Sequence, residues 1–132
     1  MRACVLDSSA LMTLFEDRPG ADKIADLLAQ AGDKHQRLSM PVVNWGEVYY
    51  AIWRVAGENK ANEKLQQIAQ LPIEIVDVDM TLARAAARIK AENNLPYADC
   101  FAAALAQMRK AILATSDRDF ERVEKLIQIL WI

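Results

Sequence analysis

Short, uninterrupted apolar runs alternate along the chain with longer segments whose apolar residues recur every three or four positions. Ala3-Cys4-Val5-Leu6 runs straight into Asp7, the pattern of a strand covered on both faces. Ser8 and Ser9 lead into a first helix through Ala10-Leu11-Met12-Thr13-Leu14-Phe15, after which Pro19-Gly20 breaks the chain. Ala21, Ile24, Leu27, Leu28 and Ala31 then share one helical stripe, with Gly32 placed to end it. Leu38-Ser39-Met40 is a short strand stopped by Pro41. From Val42 to Val55 almost every side is apolar, including Val43, Trp45, Val48, Tyr49, Tyr50, Ile52 and Trp53. Such a helix has to be covered on more than one face, by a partner helix or a second subunit as well as by the sheet. Gly57-Glu58-Asn59 separates it from a helix carrying Leu65, Ile68 and Ala69, and Ile73-Glu74-Ile75-Val76 reads as a third strand. Asp79 is placed to cap a helix through Leu82, Ala83, Ala86 and Ile89. Pro96 fits a first helical position and opens a helix from Tyr97 to Met108. Ala111 to Thr115 is a fourth strand, Asp117 caps a short helix through Val123, and Ile127-Gln128-Ile129-Leu130 is a fifth strand.

Strands and helices in alternation define βαβ units, and with them a single α/β domain of three layers, α/β/α, whose mostly parallel sheet has about five strands. The 132 residues are enough for one such domain, spanning 1–132, with a real core and no second domain. An apolar content of 53% against 26% charged residues excludes a disordered chain. No charge-free stretch reaches the ~20 residues of a membrane span. MRACVLDSSA has too short an apolar run and too early an acid for a signal peptide. Two cysteines are too few for a disulfide framework, which points to a reducing, cytoplasmic setting. Cys4 on a strand and Cys100 beside Asp99 read as small core residues. A net charge of −2 argues against a generally basic coat for nucleic acid.

The only histidine, His35, lies in the polar stretch Gly32-Asp33-Lys34-His35-Gln36-Arg37, a loop setting that disfavours a hydrolytic triad. One His and two scattered Cys do not make a zinc site. Carboxylates therefore have to carry any chemistry. In open α/β sheets, sites lie beyond the carboxyl ends of the strands. Asp7 follows the first strand directly and Asp117 follows the fourth, so the two share one crevice if those strands are neighbours. Asp99 lies in the first turn of its helix and Asp119 two residues beyond Asp117. Glu47 falls in the first two turns of the most apolar helix, with no Lys or Arg at a pairing distance along it. A carboxylate there is costly unless paired or bound to a cation.

Taken singly, these acids have plain structural readings as a snorkelling side chain, a helix cap or a helix-dipole partner. Gathered on one rim they conflict, because two like charges 4 Å apart repel by roughly 4 kcal/mol at an effective dielectric near 20. A cation between them removes the conflict, and an all-oxygen donor set selects hard ions, Mg2+ or Mn2+. Pairs of such ions about 4 Å apart support phosphodiester hydrolysis.

DSSALMTLF at 7–15, VVNWGEVYYAI at 42–52, YADCFAAALA at 97–106 and LATSDRDF at 113–120 carry a family likeness through their order. The chain resembles the PIN-domain ribonucleases over its whole length, and in particular the VapC-type toxins of bacterial toxin–antitoxin pairs. The resemblance implies that Asp7, Glu47, Asp99 and Asp117 are catalytic acids binding one or two Mg2+ or Mn2+ ions. It implies a further metal-site acid in Asp119, and in Ser9 a supporting hydroxyl that orients the metal, its water or Asp7. The implied reaction is endonucleolytic hydrolysis of RNA by water activated at the metal, leaving a 5′-phosphate. The implied partners are a second copy of the chain and a cognate antitoxin that blocks the site, with DNA bound only indirectly, through the antitoxin. Ser116 stands where the family often has Gly, so the loop ahead of Asp117 is expected to differ slightly.

Two other classes that place acids at strand ends fit less well. A phospho-receiver pairs acids directly after its first strand, where Ser8 and Ser9 stand, and a haloacid-type phosphatase needs an acid in the place of Ser9. A non-catalytic, acidic α/β binding module is the remaining alternative, disfavoured by the presence of all four acids. Trp45, Tyr49, Tyr50 and Trp53 read as core and dimer contacts. Arg109-Lys110, Arg118 and Arg122 read equally as an RNA path near the carboxyl rim or as a solvated face.

Overall fold

Each short apolar run forms a strand, and all five strands lie in one parallel sheet. In the computed structural model, residues 2–132 are described. The elements follow one another as β1 (Cys4–Leu6), α1 (Ser8–Phe15), α2 (Ala21–Asp33), β2 (Leu38–Pro41), α3 (Val42–Ala56), α4 (Glu58–Ala69), β3 (Ile73–Val76), α5 (Met80–Glu92), α6 (Tyr97–Arg109), β4 (Ile112–Thr115), a 3-10 helix (Arg118–Val123) and β5 (Gln128–Trp131). The sheet order is β3-β2-β1-β4-β5, and every neighbouring pair is parallel. β1 is buried throughout, as a central strand between helical layers must be. The edge strands β3 and β5 are only partly covered.

Side-chain alternation along the strands feeds two cores. Val5 and Leu113 point to the layer of α5, α6 and the 3-10 helix, where Leu82, Ala86, Phe101, Leu105, Phe120 and Val123 pack. Cys4, Leu6 and Ala114 point to the opposite layer of α1 to α4, with Leu11, Ile24, Val48, Ile52 and Ile68. α6 is the most enclosed helix, buried from Asp99 to Ala106, and its run of alanines lets it lie close against the sheet. Among the described residues, no helix is long and apolar enough to cross a membrane.

Several local expectations are corrected. Gly32 does not end α2, which continues to Asp33; the chain leaves it through Lys34 and then His35, the latter at a positive φ of 53°. Pro96 is the cap residue of α6 and not its first helical residue, since its ψ of 142° is extended. Pro41 closes β2 as its last residue instead of stopping the strand before it. α3 is covered on more than one face, as its apolar pattern predicts: α4, α1 and α6 pack on it beside the sheet, with Asn44, Val48 and Ile52 buried and Val43, Trp45 and Tyr49 partly covered. Tyr50, Trp53 and Val55 remain exposed to solvent, and along the helix Trp45 stacks on Tyr49 while Trp53 meets Tyr49 edge-on, with ring centroids 6.2 and 5.6 Å apart. Asp79 caps α5 as its position predicts, accepting from the Leu82 N–H at 2.8 Å. Both cysteines are free and buried, and burial pushes the Cys4 thiol up to about 11, so it behaves as a small core residue.

The 3-10 helix is pinned to the core by Phe120, which directly follows Asp119 in sequence and whose side chain is fully buried. Phe120→Ala is expected to lower unfolding stability by about 3–5 kcal/mol, the usual cost of deleting a buried aromatic ring. Urea denaturation of the two proteins measures the difference.

Candidate active site

The strand order reverses between β1 and β4, because the chain lays β2 and β3 on one side of β1 and then returns to its other side. At such a reversal the chain leaves the two strands towards opposite layers, to α1 and to the 3-10 helix, and sites in open α/β sheets lie at these carboxyl ends. Asp7 ends β1 and caps α1; Asp117 follows β4 by two residues and caps the 3-10 helix. Asp99 enters from the first turn of α6 and Glu47 from the second turn of α3.

Asp7 is almost fully buried. Its Oδ1 accepts from Ser9 Oγ at 2.7 Å and from the Ala10 N–H at 3.0 Å, and its Oδ2 accepts from Thr115 Oγ1 at 2.7 Å. Thr115 Oγ1 in turn accepts from the Asp117 N–H at 3.0 Å, and Ser9 Oγ from the Ser116 N–H at 3.0 Å. These hydroxyls join the end of β1 to the loop after β4. Burial pushes the Asp7 carboxyl up to about 6, against the pull of its hydrogen bonds to Thr115, Ser9 and Ala10 and with a smaller push from Asp117. Ser9 thus contacts Asp7, one of the three roles the resemblance allowed it. Ser116 is not among the residues at positive φ, so a serine fits there without strain.

Asp99, Asp117 and Asp119 each offer a carboxylate oxygen, all within 4.8 Å of one another. Burial and then the charges of Asp117, Asp7 and Glu47 push the Asp99 carboxyl up to about 8. Glu47 is half-buried, its Oε1 accepting from Asn44 Nδ2 at 2.9 Å and from Ser8 Oγ at 3.1 Å. Asp117 Oδ1 accepts from the Asp119 N–H at 2.9 Å, and Asp119 pairs with Arg122 at 3.0 Å. Among the described residues, Arg122 is the only cationic side chain in ion-pair contact with any of the five acids. Asp99, Asp117 and Asp119 thus form an oxygen-lined donor set suited to a hard divalent cation, with Asp7 and Glu47 outside that set but near enough for their charges to act on Asp99.

The basic residues are dispersed. Arg109 lies at the far end of α6 from Asp99, where it bonds Ser39 Oγ at 2.8 Å and pairs with Glu74 at 3.1 Å, so it does not line the carboxyl rim. Arg118 lies over the Trp131 ring, 4.3 Å from its centroid. Sequence reasoning missed three participants: Thr115, Asn44 and Ser8. Their signals were a lone hydroxyl at the end of an apolar strand, a lone amide three residues before Glu47, and a hydroxyl directly after Asp7.

No curated protein matches this sequence. Among solved structures, the chain is similar to the DNA-bound VapBC complex of Salmonella typhimurium, at 19% identity and a TM-score of 0.75, covering 98% of both chains. It is similar to VapBC2 of Rickettsia felis, bound to a promoter DNA fragment, at 16% identity and a TM-score of 0.75, covering 97% of both chains. It is also similar to VapC20 of Mycobacterium tuberculosis, described as a toxin cleaving the sarcin-ricin loop. That match has 14% identity and a TM-score of 0.72, covering 92% of this chain and 95% of the other. The family model of the PIN domain matches residues 4–126, which hold β1 to β4 and all five acids, and the chain belongs to the PIN domain family.

Proposed function

We propose that this chain is a divalent-cation-dependent endoribonuclease, the VapC-type toxin of a toxin–antitoxin pair acting in the cytoplasm. The observation that carries the reading is the meeting of the Asp99, Asp117 and Asp119 carboxylates within 4.8 Å of one another, with the charges of Asp7 and Glu47 acting on Asp99 and a single arginine in ion-pair contact. The likeness to VapC20, described as a toxin cleaving the sarcin-ricin loop, supports RNA as the substrate class. The likeness to VapBC complexes supports a cognate antitoxin that closes the site and carries any DNA contact. The exposed Trp53 and Tyr50 of α3 support a homodimer.

Asp99, Asp117 and Asp119, with Asp7 and Glu47 beside them, would hold Mg2+ or Mn2+. When bound, such a cation lowers the pKa of a coordinated water and polarises the phosphate under attack. Thr115, Ser9 and the Ala10 N–H hold both Asp7 oxygens in place, so this carboxylate does not reorganise when substrate arrives. The Asp119 N–H holds Asp117, and Arg122 holds Asp119 at the outer edge of the site.

Asp99→Asn removes one acid from the cluster without changing the side-chain volume. Induced in a bacterial host, the parent is expected to arrest growth and leave discrete new RNA 5′-phosphate ends, and Asp99→Asn to leave none, a loss of at least about 100-fold in cleavage. Sequencing of RNA 5′ ends reads the result; new ends at the same positions in both strains would contradict the assignment.

The acids also predict a pH dependence of the metal-free protein. Asp7 and Asp99 have folded pKa values raised from 3.8 to about 6 and about 8, so the folded state binds more protons than the unfolded one between those limits. Stability from these groups is therefore present at low pH and is lost as pH rises from about 4 to 8. Without metal, Asp99→Asn is expected to melt several degrees above the parent at pH 8 and to lose that advantage towards pH 5. Added Mn2+ is expected to raise the melting temperature of the parent more than that of the variant. Scanning calorimetry at both pH values, with EDTA or Mn2+, makes the comparison.

A further inference from the structure

Among the described residues, one buried side-chain oxygen or nitrogen has no hydrogen-bond partner, Asn44 Oδ1. Asn44 is fully buried in the first turn of α3. Its Nδ2 donates to Glu47 Oε1 at 2.9 Å and to the Ala98 carbonyl oxygen at 3.3 Å. Turning the amide over would set Oδ1 against a carboxylate and a carbonyl, two acceptors, so the chemistry of the neighbours fixes its orientation. That orientation leaves Oδ1 unsatisfied, a cost that an apolar side chain of similar size does not carry.

The contacts show what the amide does in return. Ala98 precedes Asp99 in the first turn of α6, so one side chain of α3 bonds both to Glu47 and to the backbone beside Asp99. Ser8 supplies the other hydrogen bond to Glu47 Oε1, but it comes from α1 and does not reach α6. We propose that Asn44 is a positioning residue that fixes the Glu47 carboxylate relative to the α6 turn carrying Asp99, so that the two acids serve one cation site. The inference rests on the reading of these acids as a divalent-cation site.

Mn2+ binding to the whole chain tests it, with free Mn2+ counted by electron paramagnetic resonance and the melting temperature of the metal-free protein as a second readout. Asn44→Leu keeps the volume and removes both donors. It is expected to weaken Mn2+ binding about tenfold, the scale of a lost outer hydrogen bond to a metal ligand, while the metal-free melting temperature stays the same or rises. In a Glu47→Gln background, itself weaker than the parent, the further loss from Asn44→Leu is expected to shrink to about twofold or less. A lower melting temperature with unchanged Mn2+ affinity makes Asn44 a packing residue and overturns the proposal. Equal losses in both backgrounds overturn the coupling through Glu47. In both of those outcomes Glu47→Gln still weakens binding and the cation site stands; Mn2+ affinity unchanged by Glu47→Gln removes Glu47 from that site and the proposal with it. If Asn44→Leu does not fold, Asn44→Ser, smaller and still polar, is read by the same criteria.

Discussion

Asp7 lies at the junction of β1 and β4, its two oxygens held by Ser9, by the Ala10 N–H and by Thr115, a residue 108 positions further along the chain. A carboxylate buried at that depth is tolerated only with donors around it. The donors here come from the end of one strand and the start of one helix, and they bridge to the loop after β4 through the amides of Ser116 and Asp117. The sheet has to bring β1 and β4 together to supply them, in the register that pairs Leu6 with Ala114. The same register leaves Asp7 and Asp117 at one edge, so the contact that satisfies a buried charge also builds the crevice.

Helix starts account for the acids only in part. Asp7 caps α1, Asp117 caps the 3-10 helix, and Asp99 lies in the first turn of α6. A negative charge at a helix N-terminus is favoured by about 0.3–1 kcal/mol. Two carboxylates 4 Å apart repel by roughly 4 kcal/mol at an effective dielectric near 20. With the oxygens of Asp99, Asp117 and Asp119 all within 4.8 Å, repulsion outweighs the helix ends, and Arg122 compensates only Asp119. Burial first and the neighbouring charges second raise the Asp99 pKa to about 8, so without a cation this carboxyl holds a proton near neutral pH.

The strands were legible because each is a short apolar run bounded by polar or breaking residues, and the buried centre of the sheet needs that pattern. Asp7 and Asp117 were legible for the same reason, as the first acids after two such runs. What stayed hidden depends on pairing across the chain. Nothing local in Ile112-Leu113-Ala114-Thr115 tells that its last hydroxyl meets Asp7, and an isolated Thr at a strand end is ordinary. Asn44 was hidden inside an apolar helix, where its bond to Ala98 is visible only once α3 and α6 are packed. Of the two readings open for Arg109, geometry selects the face away from the rim: ten residues of helix carry it about 15 Å along the axis from Asp99. Gly32 misled because an exposed glycine inside a helix costs only about 1 kcal/mol relative to alanine, too little to end it.

A chain of net charge −2 that acts on a polyanion has to concentrate positive charge where the substrate lies. The arginines on the 3-10 helix are already engaged: Arg118 with the Trp131 ring and Glu121, Arg122 with Asp119. Both engagements are at exposed side chains, where an ion pair is worth about 1 kcal/mol or less, so a phosphate can compete for either arginine. The acidic crevice offers no such exchange, since its carboxylates repel phosphate until a cation reverses the local field. On the proposed reading, binding of RNA and assembly of the catalytic centre are therefore one electrostatic event. On that reading, the cation that would relieve Asp99 would also be the charge that admits the substrate, and the protein without it would repel RNA from the place of cleavage.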